Sequence, residues 1–309
     1  MGIGATTTIF SLFNAVLLQP LPFSQADRLV SMWHAAPGLR PDDINQSPAS
    51  YFLYRDGNRV FEDVGLWDSG RTTVTGLDDP ERLRSLTVTD GLLTTLDFPL
   101  VVGRPFRPGD DRPGAAGTVI LNHAYWQLRF GSDANVLGKV ISLDGEPHEV
   151  IGVLAPNFPF PHAILIPARF DRSTVINGDF SYQMIGRLKQ DVTLPQARAD
   201  LERLLPRLAT DFAGNLTPQV LREGRFTPIV RSLRDDFVGD ASGILWILLG
   251  TVGIVLLIAC ANVGNLYMVR AEGRQREVAI RTAMGASRSS ILRYFLLEST
   301  LLGLLGGGV

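Results

Sequence analysis

Cysteine is nearly missing from this 309-residue chain. Cys260 is the only one, so no intrachain disulfide can form and no thiol cluster can hold a metal. Histidine is almost as scarce: His34, His123, His148 and His162 are scattered, without metal-ligand spacing. No G-x-S-x-G elbow marks a serine hydrolase. The nearest approach to a phosphate loop, "GSDANVLGK", has Asp133 where a Walker loop needs glycine, so nucleotide hydrolysis by this chain is rejected. The acidic pairs Asp110-Asp111 and Asp235-Asp236 stand beside Pro, Gly or Arg and read as solvated turns rather than catalytic dyads. The sequence points to a non-enzyme that needs no cofactor and no metal.

Positive charge is also missing from long stretches. No Lys or Arg precedes Arg28, none lies between Arg234 and Arg270, and none follows Arg293. Residues 27–240 hold 23 basic and 28 acidic side chains, a balance of −5, whereas the six arginines and three glutamates beyond them leave +3. This split is a compartment signal. No folded-looking region concentrates basic residues, which excludes a nucleic-acid partner.

What is abundant is apolar sequence. From Ala241 to Val269, 29 residues pass without a charge: "ASGILWILLGTVGIVLLIACANVGNLYMV". As a helix this run reaches about 43 Å, more than the roughly 30 Å of bilayer hydrocarbon. Trp246 and Tyr267 lie near its ends, where interfacial aromatics belong. Gly250, Gly253 and Ala261 permit close helix packing, and Asn262, with Asn265 on the same face, is costly in lipid unless it meets a neighbouring helix. Cys260, inside the run, reads as a small, unreactive filler. Six arginines against two glutamates follow from Arg270 to Arg293, which places that loop in the cytoplasm and residue 241 outside.

Residues 1–19 read as the outer part of a first transmembrane helix, ended by Pro20 and Pro22. Residues 20–240 read as an extracytoplasmic domain, 241–269 as a second transmembrane helix, 270–290 as a cytoplasmic loop and 291–309 as a third helix cut short. Both ends read as those of a fragment.

The outer domain reads as mixed α and β. "KVISLDGEPHEVIGVL" is a hairpin turning at Asp144-Gly145. "TVIL" is a strand, followed by a short helix ending at Gly131. Tyr182–Lys189 alternates as a half-buried strand, and Thr193 with Gln196 forms a capping box ahead of an amphipathic helix that Pro206 should bend or end. "RFTPIV" then returns as a strand and completes a β-α-β unit. The remainder reads as many short strands joined by turns.

"ACANVGNLYMVRAEGRQREVAIRTAMGASRSSILRYFLLESTLLGLLGG" resembles the signature of FtsX-like permeases, the membrane subunits of the macrolide-exporter (MacB) type of ABC system. "GIGATTTIFSLFNAVLLQPLPF", "RVFEDVGLW", "GRPFRPGDDRPG", "VILNHAYWQLRFG", "VLGKVISLDGEPHEVIGVLAPNFPFP" and "IGRLKQDVTLPQARADLERLLPRLA" resemble the extracytoplasmic core domain of that family, and most of all its acidobacterial duplicated orphan permease branch. The resemblance covers nearly the whole chain. It implies an α+β extracytoplasmic domain flanked by transmembrane α-helices, with a porter-like part at about 27–60 and 180–236 and a strand-rich, sabre-like insertion at about 61–179.

The resemblance further implies a noncatalytic permease subunit in the inner (plasma) membrane. It would couple ATP hydrolysis by a separate ABC ATPase to movement of the outer domain, which exports or extracts a substrate. Its partners would be that ATPase, a second permease unit in a two-fold assembly, membrane lipid and a periplasmic adaptor. The alternative is a membrane-anchored regulator of FtsX type, controlling extracytoplasmic partners without transport. The arginine loop would be the coupling element. Arg274, Arg281 and Arg288 recur every seven residues, and Arg276, Glu277, Ile280 and Met284 share a helix starting near Glu272. Gly285 suits the left-handed position after that helix, and Ser287 can cap the next one. Without the resemblance, the same arginines could merely set topology and bind anionic lipid.

Overall fold

The strand period appears first in Leu29–Ala36 (β1), where Leu29 and Ser31 point to one face and Val30 and Met32 to the other. The computed structural model describes residues 21–77 and 79–273, with isolated positions from 279 to 300. It divides into two units, Pro20–Phe237 and a second comprising Met1–Gln19 with Val238–Val309.

The first unit begins with β1, β2 (Arg40–Ile44) and α1 (Pro48–Gly57), followed by β3 (Phe61–Thr75), β4 (Glu81–Val88) and α2 (Gly91–Leu96). Next come β5 (Leu100–Gly103), β6 (Thr118–Leu121), α3 (His123–Phe130), β7 (Val140–Leu143), β8 (Glu146–Leu154) and β9 (Ile164–Pro167). It closes with β10 (Gln183–Leu188), α4 (Leu194–Asp211), α5 (Pro218–Gly224) and β11 (Thr227–Ser232).

β1 runs antiparallel to both β10 and β11 and separates them, so the predicted β-α-β unit is a split one with β1 between its strands. α1 and α4 cover one face of this sheet. Leu201, Leu204 and Leu208 of α4 recur at helical spacing and pack with Val30, Met32, Val64 and Met184. Each such leucine is fully buried, so truncation to alanine costs about 2–5 kcal/mol. α2 covers the opposite face through Leu92, Leu93 and Leu96, against Leu29, Val88 and Ile185. It lies so close to β3 that a Cβ on Gly65 would sit 2.4 Å from the Leu92 Cα, so any side chain there would push the helix away.

Farther along β3 the hydrogen-bonded ladders close on themselves. β3 pairs with β4, β4 with β9, β9 with β6, β6 with β8, β8 with β7, and β7 returns to β3 at Val74↔Leu143. Val74, Val119, Ile141, Leu143, Val150 and Ile164 form the core of this ring. The expected hairpin is its β7–β8 edge, with Leu143 paired to Glu146 across Asp144 (φ 49) and Gly145 (φ 90), a two-residue turn with positive φ at both positions.

Of the two outcomes expected at Pro206, an end to α4 is excluded, since the helix continues to Asp211 with Leu208 beyond the proline anchored in the core. Two expectations need correction. β3 is 15 residues long, not one of many short strands, because its two halves serve different neighbours. The acidic pairs are not simply solvated turns. Asp110 accepts from Arg104 Nη1 at 2.6 Å and from the Arg107 N–H at 2.9 Å, and Asp236 accepts from Trp33 Nε1 at 3.0 Å.

The helix that follows, α6, spans Leu233–Gly273 and begins ahead of the predicted Ala241. Within it, Trp246–Leu266 has a mean hydropathy of 2.3 and none of its hydrophobic window is buried in the chain. Among the described residues this is the one helix long and apolar enough to cross a membrane.

Candidate functional site

A cavity of about 290 Å³ opens where α1, the start of α2, the loop before β6 and the loop after β9 converge. α1 is set by a reciprocal capping box, in which Ser47 and Ser50 exchange hydrogen bonds with each other's backbone, and by Pro48 in the first turn. It presents Tyr51 and Arg55, one turn apart, to the cavity. Arg55 forms a bidentate pair with Asp90, Nη1 to Oδ1 at 2.6 Å and Nη2 to Oδ2 at 3.2 Å. Asp90 is 5% exposed and Arg55 about a third, so the pair bridges interior and solvent. The Tyr51 hydroxyl donates to Asp90 Oδ1 at 3.3 Å and accepts from Arg55 Nη1.

The surrounding carboxylates feel this crowding. Burial pushes Asp111 and Asp63 above the ordinary carboxylate range, and the charge of Asp90 adds to it. Burial disfavours the charge on Arg55, yet its bond to Asp90 and the charges of Tyr51, Asp90 and Asp63 together outweigh this and raise its affinity for the proton. At the rim, Arg172 pairs with Asp56 and lies 5.4 Å from the centre of the Phe52 ring. The described lining residues include no serine, cysteine or histidine, and the polar groups they offer are tyrosine, aspartate and arginine side chains. No group of three or more His, Cys, Asp and Glu among the described residues could hold a metal ion. Of these residues only Asp111 was singled out in the sequence, where it read as half of a solvated acidic pair. The Ser47-Pro48 start followed by "ASYFLYR" is the signal that could have found α1.

The residues expected to pack helices lie on α6. Gly250, Ala261 and Asn262 are exposed and Gly253 is half-buried. A Cβ at Gly250 or Gly253 would meet nothing within 4 Å, so both positions are open to a neighbouring helix. Of the expected coupling loop, Arg274, Arg276, Glu277, Arg281 and Arg288 lie outside the described residues. Ile280 and Met284 are 59% and 75% exposed. The Met284 N–H donates to the Ile280 carbonyl at 3.0 Å, and Gly285 follows with φ 88, a left-handed conformation that glycine adopts without strain. Ser287 Oγ lies 3.0 Å from Ser289 Oγ.

An α+β domain, an apolar helix and a glycine-terminated turn thus follow one another along the chain, and comparison with known proteins gives this order a family. The profile described as MacB-like periplasmic core domain matches residues 1–204, and that described as FtsX-like permease C-terminal matches residues 249–309. The chain belongs to the MacB/FtsX-like permease family. It is 27% identical over 231 residues to the uncharacterized ABC transporter permease YknZ of Bacillus subtilis, covering 71% of this chain and 53% of that protein. It is 26% identical over 223 residues to the pyoverdine export ATP-binding/permease protein PvdT of Pseudomonas syringae pv. tomato, covering 68% of this chain and 31% of that protein. The chain therefore spans about half the length of the first relative and about a third of the second. In fold, it is similar to a crystal structure of a domain described as part of a permease protein of Porphyromonas gingivalis, with a TM-score of 0.50 and 16% identity. That likeness covers 68% of this chain and 93% of that domain.

Proposed function

We propose that this member of the MacB/FtsX-like permeases is the noncatalytic membrane subunit of an ABC-type mechanotransmission system. A separate ATPase would hydrolyse ATP, and the outer domain would move to export or extract a substrate. The observation that carries this reading is the matched order: a core-domain profile over residues 1–204 and a permease profile over 249–309, with the apolar helix Trp246–Leu266 overlapping the start of the second match. Membership of the acidobacterial duplicated orphan permease branch remains part of this proposal.

The domain division proposed from the resemblance has partial support in the packing. Residues from 30–66 and 184–216 share one hydrophobic cluster and residues from 74–164 another, while a third joins Leu29 and Ile185 to residues from 67–165. We place the porter-like part at about 27–60 and 180–236 and the sabre-like insertion at about 61–179, with β3 continuing from one core into the other.

In the membrane, Gly250, Gly253, Ala261 and Asn262 would face other helices of a multi-pass protein or of a second permease unit. Arg274, Arg276, Glu277, Ile280, Arg281, Met284, Gly285 and Arg288 would form a helix–turn element seated in the ATPase, with the domain before α6 outside the inner membrane. The apolar exposure of Ile280 and Met284 supports a seat in a partner's groove. The decisive experiment joins the full-length protein with the ATPase encoded beside it in proteoliposomes. ATP-dependent substrate movement is expected, and the purified chain alone is expected to hydrolyse none. ATP turnover by the chain itself, after contaminating ATPases are removed, would overturn the noncatalytic assignment.

A further inference from the structure

Arg71, Arg82 and Arg84 stand exposed on the outer face of the β3–β4 ladder, while Thr72, Val74 and Leu83 turn to the inner face. Arg71 and Arg84 are directly opposed in the antiparallel register. Opposed Cβ atoms in such a pair lie about 5 Å apart, where like charges destabilise the ladder. Arg82 follows two positions along β4, at a strand spacing of roughly 6.7 Å. Among the described residues these three guanidinium groups have no ion-pair or hydrogen-bond partner.

The nearby carboxylates are committed elsewhere. Glu81 accepts from the Tyr125 hydroxyl at 2.5 Å and lies 3.6 Å from Arg129, and Asp144 accepts the Thr73 N–H at 2.8 Å. His162, hydrogen-bonded through Nε2 to Ser69 Oγ at 3.0 Å, is buried beside this face, and burial and the neighbouring Arg84 lower its affinity for a proton, so it supplies no counter-charge. A generally basic surface does not account for the cluster, because residues 27–240 carry a net −5.

We propose that this face docks an extended acidic segment of a protein partner, with carboxylates at alternate positions. The face is part of a regular ladder, so its charges stand in rows with the strand repeat. An extended peptide shares that repeat, and alternate carboxylates would fall over Arg82 and Arg84 while reaching Arg71 across the ladder. Each guanidinium fork can take a carboxylate through two parallel hydrogen bonds. An array of lipid headgroups has no such fixed period.

The test uses the full chain in uncharged detergent and a fluorescein-labelled peptide of alternating Glu and Thr, with a Gln/Thr peptide as control. Fluorescence anisotropy is expected to show binding of the acidic peptide alone, weakening as NaCl rises. Combining Arg71→Gln with Arg84→Gln is expected to weaken binding at least about tenfold. Arg82→Gln, outside the opposed pair, is expected to weaken it less. The double variant should melt no lower than the parent chain, because it removes a like-charge contact. Equal binding of the two peptides, or undiminished binding by the double variant, overturns the proposal. So does capture by phosphatidylglycerol vesicles that the acidic peptide cannot displace, which would assign the face to lipid.

Discussion

At the scale of single residues, burial sets the stakes. Asp90 is almost fully buried and depends on Arg55, so Arg55→Met strands a carboxylate in the interior. The expected loss is about 2–3 kcal/mol, less than the ~3–5 of a fully buried pair because Arg55 reaches solvent. Thermal unfolding should show the drop, and adding Asp90→Asn should recover part of it. An unchanged melting temperature in the single variant would mean the pair holds nothing together. His34 offers a second test. Its imidazole is wholly enclosed among Tyr54, Phe180 and Phe226, and burial pulls its pKa from 6.5 to about 4. The unfolded chain therefore takes up this proton first as pH falls, so stability contributed by neutral His34 is intact above 6.5 and is lost progressively towards 4. The loss is on the order of 3 kcal/mol, readable as a falling melting temperature between those values. A profile flat from pH 7 to 4 would remove His34 as a source of acid sensitivity.

At the scale of elements, α4 carries a built-in flaw. Pro206 has no N–H to donate to the Glu202 carbonyl, and its ring is exposed, so it contributes little to the core. Pro206→Ala should restore the missing bond and raise stability by about 1–2 kcal/mol, after allowing for the freer unfolded chain. Denaturant unfolding would read this directly, and a destabilised variant would show that the proline shapes the helix usefully. The same helix shows what a sequence can disclose. Its capping box and leucine spacing, like the Asp144-Gly145 hairpin and the glycine stop at Gly131, are local signals, and each named an element that exists. β3 was less legible. Its 15 residues mix apolar, charged and small side chains because the first half pairs with β10 and the second with β4 and β7, so no single alternation runs through it. The Arg55–Asp90 recess was not legible at all, since its parts lie 35 residues apart and meet only when α2 docks on β3.

For the whole molecule, the predictions concern sides and coupling. Residues 27–240 are expected outside the inner membrane and 270–293 inside, as the change of charge between them implies. Labelling of a Ser132→Cys variant on a Cys260→Ala background checks this. Modification only after the inner membrane is made permeable would reverse the topology. Arg281→Glu with Arg288→Glu in the full-length protein is expected to uncouple transport from ATP hydrolysis while membrane insertion continues. Insertion draws on the long apolar run, in which each Leu or Ile contributes roughly −0.5 kcal/mol at the helix centre. Normal co-purification with the ATPase and full activity would reduce the loop to a topology signal. Gly285→Val, strained at φ 88, should give a similar defect through shape alone.

The position of β1 also has a consequence in time. It is the first strand of the domain, and its far end pairs with β2, which follows at once, yet the neighbours of Leu29–Met32 on either side, β10 and β11, begin only at Gln183 and Thr227. A chain emerging from its N-terminus must therefore hold Leu29, Val30 and Met32 unpaired until most of the domain has followed. The central sheet cannot form early, and its contacts are among those most distant in sequence, which slows folding and leaves an open strand exposed to proteases and to mispairing meanwhile. The closed strand ring, assembled wholly from residues between β1 and β10, can form first and wait.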